Sequence, residues 1–231
     1  MTGESHEVLT NVEGGVGFVT LNRLNQTMVD LLATVLMSWE HEDAVHAVVL
    51  SGAGERGLCA GGDVVAVYHS ARKDGVEARR FWRHEYLLNA LIGRFAKPYV
   101  ALMDGIVMGG GVDVGGVYLL SRAPGALGLH AALTGAPFSG ADAIALGFAD
   151  HFVPHGDLDA FTQKIVTGGV ESALAAHAVE PPPSTLAAQR DWIDECYAGD
   201  VAGSASRRQT RHARRRVDPG LSGVIGVAAL A

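Results

Sequence analysis

Apolar and polar residues alternate from Glu7 to Val12 and run apolar from Val16 to Leu21 around Gly14-Gly15, which predicts a β-hairpin. Met28, Leu31, Leu32, Val35 and Leu36 recur at helical spacing between Thr27 and His41. Ala47 to Leu50 and Tyr99 to Met103 are short consecutive apolar runs, the pattern of buried strands. A Gly-rich loop, Glu55 to Asp63, leads into a helix starting at Val64 to His69. A longer helix covers Val76 to Phe95 and closes before Pro98. Val117 to Leu120 and Leu127 to Leu133 are read as helical pieces. Ser139 caps a helix that reaches Leu146 and ends at Gly147. Phe152-Val153 is a short strand, and Leu158 to Val166 and Ser184 to Tyr197 are amphipathic helices, with the stiff Glu180 to Pro183 segment between them. Strands alternating with helices predict an α/β fold with mostly parallel pairing. The chain divides into a core at 1–179, a linker and C-terminal helix at 180–200, and a basic low-complexity tail at 201–231 that is expected to be disordered.

Composition narrows the picture. The 231 residues suit one domain with a small appendage, and 48% apolar against 19% charged residues supports a sizeable core. Many of the 30 glycines cluster, which points to close backbone approaches. Cys59 and Cys196 cannot build a disulfide framework. The polar N-terminus carries no signal-peptide pattern, and Asp104, Asp113 and several glycines break the most apolar window, so neither export nor a membrane span is expected. A cytoplasmic protein follows as the expectation. The formal charge is −7, yet residues 201–231 hold six arginines and one acid, so the rest of the chain is strongly acidic. An acidic body disfavours nucleic acid as a partner, and the arginine run lacks the aromatics that stack on bases.

Three patterns carry candidate chemistry. Gly52 to Gly57 reads G-x-G-x-x-G, but no helix opens on its last glycine, so a tight-turn loop is expected rather than a dinucleotide site. Gly61-Gly62-Asp63 and Gly109-Gly110-Gly111 each follow a buried strand and precede a helix. Unpaired amides at two such turns can converge on one developing oxyanion, with glycine keeping side chains out of the way. The ten histidines lack metal-site spacing, so no metal is expected. The pattern alone makes His84-Glu85 a solvated helix face, while Asp113 is the acid best placed beside the second glycine cluster.

Taken together, several motifs resemble the crotonase (enoyl-CoA hydratase/isomerase) superfamily. They are Arg56-Gly-Leu-Cys-Ala-Gly-Gly-Asp63 and Lys97-Pro-Tyr-Val-Ala-Leu-Met-Asp-Gly105 followed by Met108-Gly-Gly-Gly111. Phe81-Trp-Arg-His-Glu-Tyr-Leu-Leu-Asn89, Asp113-Val-Gly-Gly116 and Ala132-Leu-Thr-Gly135 resemble the 3-hydroxyisobutyryl-CoA hydrolases within it. The resemblance implies a crotonase-like ββα spiral, here incomplete, with a helical C-terminal portion. It implies that the Gly62 and Gly110 amides form an oxyanion hole, that Asp113 is catalytic, that Glu85 contacts substrate, and that the Ala60 to Asp63 backbone borders the adenine of CoA. The implied reaction is hydrolysis of 3-hydroxyisobutyryl-CoA, a step of valine breakdown. Coenzyme A is then part of the substrate, with no separate cofactor, and a homo-oligomer (trimer or hexamer) is implied as well.

The chain departs from that pattern at three places. The insert expected after Arg23 is missing, and Val112 joins directly to Asp113 where the family has roughly thirty residues that include a catalytic Glu. That Glu would stand eight residues before Asp113, at the position of Gly105. From Val201 an Ala/Gly/Arg/Val-rich tail replaces the expected helices. Two other readings therefore stand beside the hydrolase: an enoyl-CoA hydratase or isomerase, and an inactive remnant that binds CoA at most.

Overall fold

The computed structural model describes residues 8–21, 24–54, 57–59, 61–107, 116–198 and 224–228. The hairpin forms as expected, with β1 (Val8–Glu13) antiparallel to β2 (Val16–Leu21). The chain then runs through α1 (Gln26–Glu40), β3 (Ala47–Gly52), α2 (Val64–Ala71), α3 (Val76–Ile92) and β4 (Tyr99–Met103). From Gly116 on come α4 (Gly116–Leu120), α5 (Leu127–Thr134), α6 (Gly140–Leu146) and β5 (His151–Phe152). Next are α7 (Leu158–Gly168), α8 (Val170–His177), α9 (Thr185–Ala188) and α10 (Arg190–Cys196), and finally β6 (Val224–Ala228). Among the described residues one six-stranded sheet results, in the order β1-β2-β3-β4-β6-β5, parallel except for the hairpin.

Both faces of this sheet are covered, which is why its inner strands read as continuous apolar runs. Along β3, Ala47 and Val49 face one cluster with Val16, Val100, Leu102, Phe161, Ile165 and Leu174 of the α7–α8 side. Val48 and Leu50 face the other, with Val19, Tyr99 and the buried stripe Met28, Val29, Leu32 and Leu36 of α1. Full burial of a side chain such as Phe161 contributes roughly 2 to 3 kcal/mol. Asn25 starts α1, its Oδ1 accepting the Met28 amide at 2.9 Å. Ser139 and Asp142 form a reciprocal capping box at the start of α6, and Gly147 ends that helix in the left-handed region, as the sequence predicts.

Two expectations are corrected, and one further helix appears. Val224–Ala228 lies inside the sheet, between β4 and β5, where a disordered tail was expected. An apolar Val-Ile-Gly-Val-Ala run finds main-chain partners on both sides there, and Val227 is fully buried. Residues 201–223 lie outside the described residues. The expected single helix from Ser184 to Tyr197 is two, α9 and α10, breaking at Gln189, whose φ and ψ of −95° and 5° leave the helical region. An unforeseen helix, α8, follows α7 after Gly169, which adopts a φ of 81°.

Candidate functional site

Parallel pairing of β3 and β4, with Val48 opposite Tyr99, makes the chain leave both strands at the same edge of the sheet. There the two connections are stitched together. Gly57 bridges Gly105 and Cys59 bridges Val107, while the Leu58 amide donates to the Asp104 carbonyl at 3.1 Å and the Cys59 amide to Ile106 at 3.2 Å. The segments leading to the two glycine clusters therefore run side by side. Gly57, the last glycine of the G-x-G-x-x-G stretch, is used in this contact, and the next helix among the described residues, α2, starts only at Val64.

Gly62 sits just before α2 and bridges Leu24. That bridge uses the Asp63 amide, which donates to the Leu24 carbonyl at 3.1 Å. Among the described residues the Gly62 amide has no acceptor. It lies at the positive end of the helix, where a developing anion is favoured. A Cβ on Gly62 would lie 3.7 Å from the Phe81 ring, so the ring of α3 closes one side of this turn. Asp63 is spent as a cap, its Oδ1 accepting the Ala66 amide at 2.9 Å. Ala60, Gly110 and Asp113 lie outside the described residues.

Glu85 is one helical turn beyond Phe81 on α3 and only 6% exposed, which corrects the solvated-face reading of His84-Glu85. Burial pushes its carboxyl above the ordinary carboxylate range. Cys59 lies close enough to feel its charge. The thiol is also raised, first by burial and also by Glu85, against the Gly61 amide that donates to Sγ at 3.4 Å. A thiol held up in this way is a poor nucleophile. His84 faces α1 instead, its Nδ1 2.7 Å from Asp30 Oδ1, which also accepts from Gln26 Nε2 at 2.9 Å.

A cleft of about 330 Å³ opens between α1, α2 and α3, lined by Asn25, Gln26, Asp63, Val67, Arg80 and Phe81 among others. Sequence reasoning missed Gln26 and Arg80. The signal for Arg80 was its place one residue before the Phe81 motif, and for Gln26 its place just after the Asn25 cap. A second pair marks the end of β4, where the Asp104 carboxylate lies 2.9 Å from His155 Nδ1.

Residues 19–113 and 112–217 match the family described as Enoyl-CoA hydratase/isomerase. The chain is 37% identical over 242 residues to "3-hydroxyisobutyryl-CoA hydrolase, mitochondrial" of Xenopus tropicalis, covering 85% of this chain and 63% of that protein. It is 34% identical to the protein of the same name from Xenopus laevis, covering 81% and 60%. The chain thus spans about three-fifths of these relatives. The first alignment is longer than the chain itself yet covers only 85% of it, so the relative carries segments for which this chain has no residues. Among solved structures, a "Carnitinyl-CoA dehydratase from Mycobacterium thermoresistibile" superposes with a TM-score of 0.83 at 56% identity, covering 94% of this chain and 74% of that one. An "enoyl-CoA hydratase from Rhodobacter sphaeroides 2.4.1" gives 0.79 at 30% identity, covering 94% and 72%. The expected cytoplasmic location is overturned, because the curated relatives are named mitochondrial.

Proposed function

The chain belongs to the enoyl-CoA hydratase/isomerase family, and from that premise we propose that it acts on the thioester of a short acyl-CoA, hydrolysing 3-hydroxyisobutyryl-CoA to the hydroxy acid and CoA. The observation that supports this reading is the stitching of segment 57–59 to segment 105–107, which brings the chain leading to each glycine-rich turn side by side at one edge of the sheet, near a buried carboxyl. Attack on a thioester carbonyl places negative charge on its oxygen. The Gly62 amide at the start of α2 would stabilise that oxygen together with the Gly110 amide, each donor contributing about 3 to 4 kcal/mol in a comparable site. Asp113 would bind the substrate hydroxyl and move the proton, and Glu85, raised by its burial, would contact the substrate. Coenzyme A enters as part of the substrate, and the reading calls for no separate cofactor.

A second reading, addition or removal of water at an acyl-CoA double bond, is favoured by the 56% identity to the protein titled a carnitinyl-CoA dehydratase. Purified full-length chain incubated with 3-hydroxyisobutyryl-CoA and a thiol reagent separates them. Release of free CoA supports the hydrolase. A change in enoyl absorbance without free CoA supports the second reading. Neither signal from folded protein leaves the remnant that only binds CoA. Gly110→Pro, which removes one amide donor, abolishes CoA release if the oxyanion role holds.

A further inference from the structure

Strand β6 is the only strand partner of β5 among the described residues and one of the two neighbours of β4. It is parallel to both, with Met103 opposite Ala228 and Phe152 opposite Ala228 on its other side. Besides the two ladders, one side chain grips the strand. Gly226 donates its amide to the Asp150 carboxylate at 2.7 Å and accepts the Asp150 amide at 2.8 Å. Asp150 thus holds both main-chain groups of Gly226 just before β5 begins. The fit allows little else, since a Cβ on Gly226 would lie 3.1 Å from the Ala149 Cα and the Phe148 carbonyl oxygen. A parallel strand slipped by one residue turns every side chain to the wrong face, and the fully buried Val227 would leave the core.

Segment 105–107, which lies against the Gly57–Cys59 turn, departs directly from the end of β4. We propose that Asp150 is a positioning residue: by clasping Gly226 it sets the register of β6, and β6 in turn fixes the carboxyl end of β4 and the segment that leads to the second glycine cluster. The kinetic consequence rests on the thioester reading above; the structural one does not. The side-chain pair at this end of β4, between Asp104 and His155, leaves β6 untouched and cannot replace the clasp.

The test uses the full-length chain with Asp150→Ala and Asp150→Asn, because the asparagine oxygen can still accept the Gly226 amide. Amide hydrogen exchange over residues 99–107 and 224–228 should be about tenfold or more faster in Asp150→Ala, and restored close to wild type in Asp150→Asn. In the same variants kcat for CoA release should fall and recover in parallel, with KM unchanged, as expected for a group that aligns transition-state donors. Wild-type exchange in Asp150→Ala, equal effects in the two variants, or faster exchange with unchanged kcat would each overturn the proposal. If the wild-type chain releases no CoA, the hydrolase reading fails by itself, and the exchange comparison alone decides the clasp.

Discussion

Gly57 and Gly105 meet across an antiparallel bridge at the carboxyl edge of the sheet, and no other residue type fits the first of these positions. Gly57 has a φ of 125°, in the region that side chains disfavour, and a Cβ there would run into the Ile106 main chain. This contact aligns the two connections on which the proposed site stands. The conformational freedom of one glycine is therefore part of the machinery that would bring two amides together.

Gly57→Ala should destabilise the chain by about 2 to 5 kcal/mol, from backbone strain and steric overlap combined. Urea unfolding of the two proteins measures this. A change below about 1 kcal/mol would mean that the bridge relaxes without cost and does not hold the segments in place.

Glu85 carries a pH signature. Burial raises its native pKa above the unfolded value, so the folded state holds the proton more tightly. The stability it contributes is complete below the ordinary carboxylate range and is lost as pH rises through the raised native value. Glu85→Gln should therefore melt higher than wild type at neutral pH, lose that pH dependence, and bind or turn over the acyl-CoA less well. Thermal melts taken from acid to neutral pH check it. A variant that melts lower at neutral pH would show that the carboxylate is satisfied by a partner.

How far the sequence could be read depends on how local each signal is. The Ser139 cap, the turn at Gly14-Gly15 and the runs at Ala47 and Tyr99 are encoded by neighbouring residues, and each forms where the pattern predicts. β6 is the opposite case. Its run of Val224, Ile225 and Val227 has strand character, but its partners are Tyr99–Met103 and His151–Phe152, distant in sequence, and nothing local says which strands it will join. The candidate site divides in the same way. Gly62 and Asp63 stand out by motif, but α3 carries Glu85 on the same buried stripe as Ala78, Leu88 and Leu91 while Trp82, Tyr86 and Leu87 are exposed, so the polar character of Glu85 hides its burial.

Tyr99 offers a gain of stability. Its hydroxyl is buried with no hydrogen-bond partner among the described residues, and burial pushes its pKa well above the usual range. The ring packs edge-on to Phe95 at 6.2 Å and does not need the oxygen. Tyr99→Phe removes an unsatisfied polar group at little cost in volume and should stabilise the chain by about 1 kcal/mol, read from the urea midpoint. A loss of similar size would reveal a partner for the hydroxyl.

Asp142 ties two helices together. Its carboxylate accepts the Ser139 amide at 3.0 Å and hydroxyl at 2.8 Å on the α6 side, and the Ser184 hydroxyl at 2.6 Å and Leu186 amide at 3.0 Å on the α9 side. Burial pushes this carboxyl up, but the bonds from Ser184, Leu186 and Ser139 outweigh it and hold the group below the usual carboxylate range. The stability it contributes is then present above the unfolded carboxylate pKa and lost as pH falls through the depressed native value. Asp142→Ala strands several partly buried donors at once and should cost about 3 kcal/mol or more at neutral pH. Asp142→Asn, which keeps one acceptor oxygen, should cost less and should flatten the acid limb of the stability profile. Melting temperatures of the three chains from neutral pH into the acid range separate these effects. An Asp142→Asn chain that loses stability in acid as steeply as wild type would assign the acid limb to other carboxylates.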